Sequence, residues 1–215
     1  MEIRVLPADL SMPDLLTPEG QLKLLPAQAY DAFSLDVLQV WCHLNARYGL
    51  PTLELVEWLR KRLAGRVAIE IGAGAGDLAY YLGIPATDNR MQEWPEIRFH
   101  YKLTGQPTIQ YPDFVQSLDA LDAVAKYQPD VVIASWVTEW IDPNLPPPEA
   151  GGNAWGVKED QIVATGREYI LIGNIKIHGH KKIMALPHQE FALPFLRSRT
   201  AYPKLDRVWI WNNES

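Results

Sequence analysis

Three glycines at alternate positions, Gly72, Gly74 and Gly76, stand between two acids, Glu70 and Asp77, in the stretch VAIEIGAGAGDLAYYLG at 67–83. Glycine takes up positive φ at little steric cost and leaves room for a ligand against the backbone. A helix opening at Asp77 would turn its first N–H groups toward that ligand. A pyrophosphate-binding fingerprint needs G-x-G-x-x-G/A, with the anion on the helix N-terminus. Here the spacing is G-x-G-x-G, and Asp77 occupies the last fingerprint position. Acids on both sides of the turn disfavour phosphate, and with it a nicotinamide dinucleotide. They suit a ligand that carries positive charge.

The stretch AIEIGAGAGD resembles motif I of the class I S-adenosylmethionine-dependent methyltransferases, in which apolar residues and an acid precede G-x-G-x-G. The resemblance extends over roughly residues 65–175. It implies S-adenosylmethionine as the cofactor, with Gly72, Gly74 and Gly76 beside its methionine and ribose parts and Glu70 orienting its amino-acid end. Asp88, in IPATDN, matches the acid that takes both ribose hydroxyls, a role a carboxylate can fill. Asp113, in QYPDF, matches the residue that contacts the adenine amino group. In PDVVIASW, Ser135 and Trp136 match residues that border cofactor and substrate. The chain departs from the family in its short first helix and second strand, with Pro85 in that strand. It lacks N/D-P-P-Y/F after the fourth strand and lacks Pro-Cys, so the usual amino methylation and cytosine C5 methylation are not implied.

Methyl transfer requires an aligned nucleophile and, where that nucleophile bears a proton, a base. SWVTEW sets Thr138 and Glu139 just past the fourth strand, and Trp136 or Trp140 can wall a planar or cationic substrate. GNIKIHGHKK after the fifth strand supplies His178 and His180, which titrate near neutral pH when unperturbed. Glu139, His178 and His180 are therefore the candidate catalytic residues. Lys181, Lys182, Arg197 and Arg199 can meet a phosphate or carboxylate on the substrate. His178, His180 and His188 raise a metal reading, which the basic surroundings and the want of a well-spaced acid disfavour.

These residues need a framework. DVVIASW and EYILIGN are apolar almost throughout, as strands buried on both faces are, and RVWIW reads as a last strand. PTIQYPD reads as a strand and FVQSLDALDAVAKY as a helix, since Val115, Leu118, Leu121 and Val124 recur every three positions. Strands alternating with helices predict an α/β, Rossmann-like domain with a largely parallel central sheet flanked by helices. An N-terminal extension precedes it. Residues 1–65 read as an arm and helical cap, with Phe33, Val37, Trp41, Leu44 and Tyr48 on one helix face and Thr52 capping a second helix. Residues 66–215 read as the cofactor-binding domain. Two segments, 89–106 and 141–156, are longer than simple connections and follow strand ends, as lids and binding loops do.

Composition sets outer limits. The formal charge of −6 argues against general duplex-DNA binding, although residues 171–215 hold seven Lys/Arg against three Asp/Glu. One cysteine, Cys42, leaves no internal disulfide framework. With no membrane-length apolar run and no signal-peptide pattern, a cytoplasmic protein acting on a small molecule is the expectation. The alternative from another class is a binding or assembly module that keeps the fold without transfer activity.

Overall fold

Apolar runs of strand length dominate the centre of the computed structural model, which describes residues 12–144 and 152–212. Seven strands form one sheet: β2 (Ala68–Ile71), β3 (Ala86–Asp88), β4 (Val115–Ser117), β5 (Val131–Ser135), β6 (Glu168–Asn174), β7 (Gln189–Phe191) and β9 (Asp206–Trp211). Their order is β4-β3-β2-β5-β6-β9-β7, and β1 (Gly49–Leu50) pairs separately with β8 (Arg197–Ser198). The five strands from β4 to β6 run parallel, whereas β9 is antiparallel to both of its neighbours. Every residue of β2 and β6 is buried, which is why AIEI and EYILIGN carry no polar alternation. The expected α/β sheet is thus present, flanked by helices on both faces.

The helices are α1 (Ala27–Tyr30), α2 (Leu35–Leu44), α3 (Leu53–Leu63), α4 (Asp77–Leu82), α5 (Pro95–Leu103), α6 (Ala120–Tyr127), α7 (Glu159–Val163) and α8 (Ile175–His178). The side chain of Thr52 accepts from Leu55 N–H at 3.2 Å, so the predicted cap opens α3. Leu55, Val56, Leu59 and Leu63 of α3 pack on one sheet face with Val131, Ile133, Ile170 and Val208. Ala123 and Val124 of α6 pack on the other face with Ile69, Val132, Leu171 and Trp209. In α2 the buried face is Val37, Leu38, Trp41 and Cys42, and Leu44, expected inside, is 57% exposed.

Two expectations near β4 are corrected. No strand forms over 107–113, where Pro107 and Pro112 lack the N–H that a ladder requires. The strand is instead Val115–Ser117, taken from the run expected to be helical. Val115 is fully buried against Ala79 and Ala86, and Asp119 then opens α6 by accepting from Leu121 N–H at 3.0 Å. Pro85 precedes β3 rather than interrupting it, and its carbonyl accepts from Glu70 N–H at 2.9 Å. The first eleven residues of the expected arm and residues 145–151 of the expected 141–156 loop lie outside the described residues. No helix among the described residues is long and apolar enough to cross a membrane.

Candidate functional site

In the sheet order, chain direction away from the centre reverses between β2 and β5, and open parallel sheets leave a crevice at the strand ends there. The glycine turn after β2 floors that crevice. Gly72, Gly74 and Gly76 have φ of +55°, +56° and +71°. A Cβ on Gly72 would lie 2.7 Å from Val137 Cγ1, across the crevice. A Cβ on Gly76 would lie 2.7 Å from both Phe114 and Val115. Gly72 therefore keeps the crevice open, while Gly76 lets α4 dock beside β4.

The acids around the turn are held by the protein itself. Glu70 is buried, and its carboxylate accepts from Ala79 N–H at 2.8 Å. Desolvation, aided by Asp77 and Asp88, pushes its pKa up to about 8, so it is largely protonated at neutral pH. Asp77 forms a buried ion pair with Arg47 at 2.7 Å and accepts from Leu22 N–H at 2.8 Å. The two negative charges counted in the sequence are thus close to neutralised.

Asp88 accepts from Gly74 N–H at 2.9 Å and from Arg90 N–H at 2.8 Å, and Tyr111 bonds to it as well. Burial raises its pKa. The Asp88 carboxylate therefore braces the glycine turn, and the neighbouring Asn89 is the residue on the crevice wall. Asp113 is exposed and lies off that wall. The acid on the wall at the end of the third parallel strand is Asp119, which spacing alone missed because β4 begins later than PTIQYPD implied.

The end of β5 contributes Ser135, Trp136, Val137 and Thr138 to the crevice. Trp136 adopts φ of +59°, an uncommon conformation for a large side chain and one that clusters at functional sites. Its ring edge packs against Gly49, where a Cβ would lie 3.0 Å from Trp136 Cδ1, and it meets the His178 ring at a centroid distance of 5.2 Å. Together these residues enclose about 1090 Å³, open mouth included. The walls come from Arg47 and Tyr48 before α3, Asn89, Gln92 and Tyr101 after β3, and Trp155 to Val157. The last two walls meet, since Asn89 Nδ2 donates to the Trp155 carbonyl at 2.9 Å and the Trp94 and Trp155 rings approach edge to face at 6.1 Å. Apart from Val157, these two walls fall in the segments 89–106 and 141–156 that the sequence predicts as lids or binding loops. Arg47, Tyr48, Gln92 and Tyr101 carry no motif, so the sequence alone does not single them out as wall residues.

The three candidate catalytic residues lie on a second cleft that shares Tyr48, Trp136, Val137 and Thr138 with the first. His178 is buried, and its Nδ1 accepts from Asn174 N–H at 2.9 Å, which leaves the proton on Nε2. Desolvation, reinforced by Lys181, lowers its pKa to about 3, so it is neutral and can donate but is a poor base. Glu139 is half-buried and accepts from Lys182 N–H at 2.9 Å, and His180 is exposed. Lys181, expected as an anion ligand, is buried and bonded to the Val137 carbonyl at 2.8 Å and to Glu159, which also accepts from the Tyr169 hydroxyl at 2.7 Å. A buried ammonium needs such partners, so this lysine is a strut under the β5 loop.

No protein-family model and no curated protein sequence matches the chain. Among solved structures it is similar to SMU.776, a proposed methyltransferase crystallised with SAH, at 10% identity and a TM-score of 0.34. The similarity covers 71% of this chain and 48% of that one, so this chain spans about half the length of its neighbour.

Proposed function

We propose that the switch-point crevice binds S-adenosylmethionine and that the protein transfers its methyl group to a small-molecule acceptor in the adjoining cleft. One observation carries this reading above the others. The only Lys or Arg among the crevice's described lining residues is Arg47, and Asp77 already pairs with it. A dinucleotide's pyrophosphate would find no free cation there, whereas a cationic ligand can draw Glu70 into its charged form. The cofactor supplies an electrophilic methyl on a sulfonium when bound.

The chain's own residues would divide the remaining work. Gly72 and Gly74 let the ligand approach the backbone, Glu70 faces its ammonium, and Asn89 and Asp119 offer acceptors for hydroxyl and amino groups. Asp88 keeps the turn in shape rather than reaching the ligand. Trp136 and Tyr48 separate the two clefts. Glu139 and His180 are the groups able to take a proton from an acceptor, whereas His178 would donate one from Nε2.

Titration calorimetry with S-adenosylmethionine, S-adenosylhomocysteine and NAD tests the reading. Both sulfur compounds should bind and NAD should not. Silence from both sulfur compounds would overturn it. Asp119→Asn keeps the cap of α6 but loses a charge, and it should weaken S-adenosylhomocysteine several-fold while leaving the fold intact. A cofactor-binding module without transfer activity stays the second reading, favoured by the occupied Nδ1 and weak basicity of His178. Binding without turnover on a broad acceptor panel would select it.

A further inference from the structure

The second cleft has a chemical character of its own. It encloses about 1230 Å³, open mouth included, and it continues the crevice past Tyr48 and Trp136. Aromatic rings from three separate segments line it, those of Tyr48, Trp136 and Tyr202. Two cations also line it and are held by rings instead of carboxylates. The Arg199 guanidinium stacks 3.7 Å from the Tyr48 ring centroid, and the Lys176 ammonium sits 3.8 Å from that of Tyr202.

The other Lys or Arg among the cleft's described lining residues, Lys181, is neutralised, as are two arginines farther off. Lys181 is tied to Glu159, Arg197 to Asp31 at 2.9 Å, and Arg207 to Glu190 at 3.0 Å. No carboxylate among the described residues pairs with Arg199 or Lys176. Stacking fixes the plane of a guanidinium while its N–H groups remain available along the edge, an arrangement that suits a carboxylate or phosphate. The aromatic walls suit a flat body behind that anion.

From this juxtaposition we infer that the second cleft binds a small planar molecule bearing one oxyanion, gripped by Arg199 and Lys176 and laid against Tyr48 and Trp136. Resting on the reading above, it makes the methyl acceptor an aromatic or similarly flat acid. The anion would face Arg199 and Lys176, while the rest of the molecule extends toward the shared wall.

Calorimetry on the full chain with benzoate, phenyl phosphate and neutral phenol tests the inference without needing turnover. Benzoate or phenyl phosphate should bind and phenol should not, the tighter of the two anions identifying the oxyanion. Arg199→Met should weaken the bound anion at least about tenfold, Arg199→Lys less, and the exposed Lys176→Met by a few-fold. Phenol binding as well as the anions, no saturable binding by either anion, or unchanged anion affinity in both Met variants would each overturn the inference. So would a short single-stranded DNA that binds more tightly than both anions. S-adenosylhomocysteine is titrated in parallel, and its retained binding by Arg199→Met reports that this variant is folded. Anion binding with S-adenosylhomocysteine silent would remove the methyl-transfer reading and leave the anion site standing. S-adenosylhomocysteine binding with both anions silent would do the reverse.

Discussion

Glu70 carries a carboxyl group whose ionisation the fold opposes. Folded, it keeps its proton up to about pH 8, against an ordinary value of 4.5. Between those values the folded state binds more protons than the unfolded one, so stability falls as pH rises through the window. Glu70→Gln keeps an acceptor for Ala79 N–H and removes the titration. Chemical denaturation at pH 8.5 should find the variant more stable than the parent by roughly 1–3 kcal/mol, with the two converging near pH 4.5. Parallel pH profiles would mean that Glu70 is ionised throughout. At this scale the sequence locates the segments around the crevice more readily than the side chains that line it. Glu70 and the glycines lie on the turn after β2, but the state of charge of the flanking acids was not legible, because that of Glu70 depends on burial and that of Asp77 also on Arg47, a residue without a motif. Asp113 and Asp119 differ as site candidates only through where β4 begins.

The elements explain why Arg47 matters. It precedes α3, while Asp77 opens α4 across the glycine turn, and their ion pair fastens the N-terminal segment to the floor of the crevice. Arg47 also donates to the Gly20 carbonyl at 2.9 Å, and Asp77 accepts from Leu22 N–H, so the fastening draws in the segment before α1. Removing one partner of a buried pair leaves a charge without compensation and costs about 3–5 kcal/mol. Arg47→Met should therefore lower unfolding free energy by about 3 kcal/mol, and the double variant Arg47→Met/Asp77→Asn should recover most of it. Additive losses in urea titrations would show that the two residues act separately. Buried strands such as EYILIGN and the Thr52 cap were readable because their signals are local. The helix-like threefold spacing over 115–124 misled because a period cannot register that Val115 is needed under α4. Two prolines ended the competing strand without announcing where its replacement would start.

Across the whole molecule, the crevice joins parts of the chain that lie far apart in sequence: residues 46–51, the ends of four parallel strands and residues 155–157. A ligand bound there ties all of them together and so stabilises the fold rather than one loop. At a hundred times its dissociation constant, S-adenosylhomocysteine should add about 2.7 kcal/mol, which raises Tm by about 5–10 °C for a chain of this length. NAD at the same concentration should leave Tm unchanged, and differential scanning calorimetry distinguishes the two results. The general plan of alternating strands and helices was visible from the apolar runs, but the partition into two clefts was not, since their shared wall brings Tyr48 together with Trp136, Val137 and Thr138, which lie far from it in sequence. The position of β9 has a further consequence. Although it is the last strand in sequence among the described residues, it lies inside the sheet between β6 and β7. During vectorial synthesis β6 must wait with one edge unsatisfied, and β7 has no partner in the sheet, until Trp211 has left the ribosome. Nascent chains arrested before that point should carry an open strand edge, the state in which a chaperone is most useful and self-association is most probable.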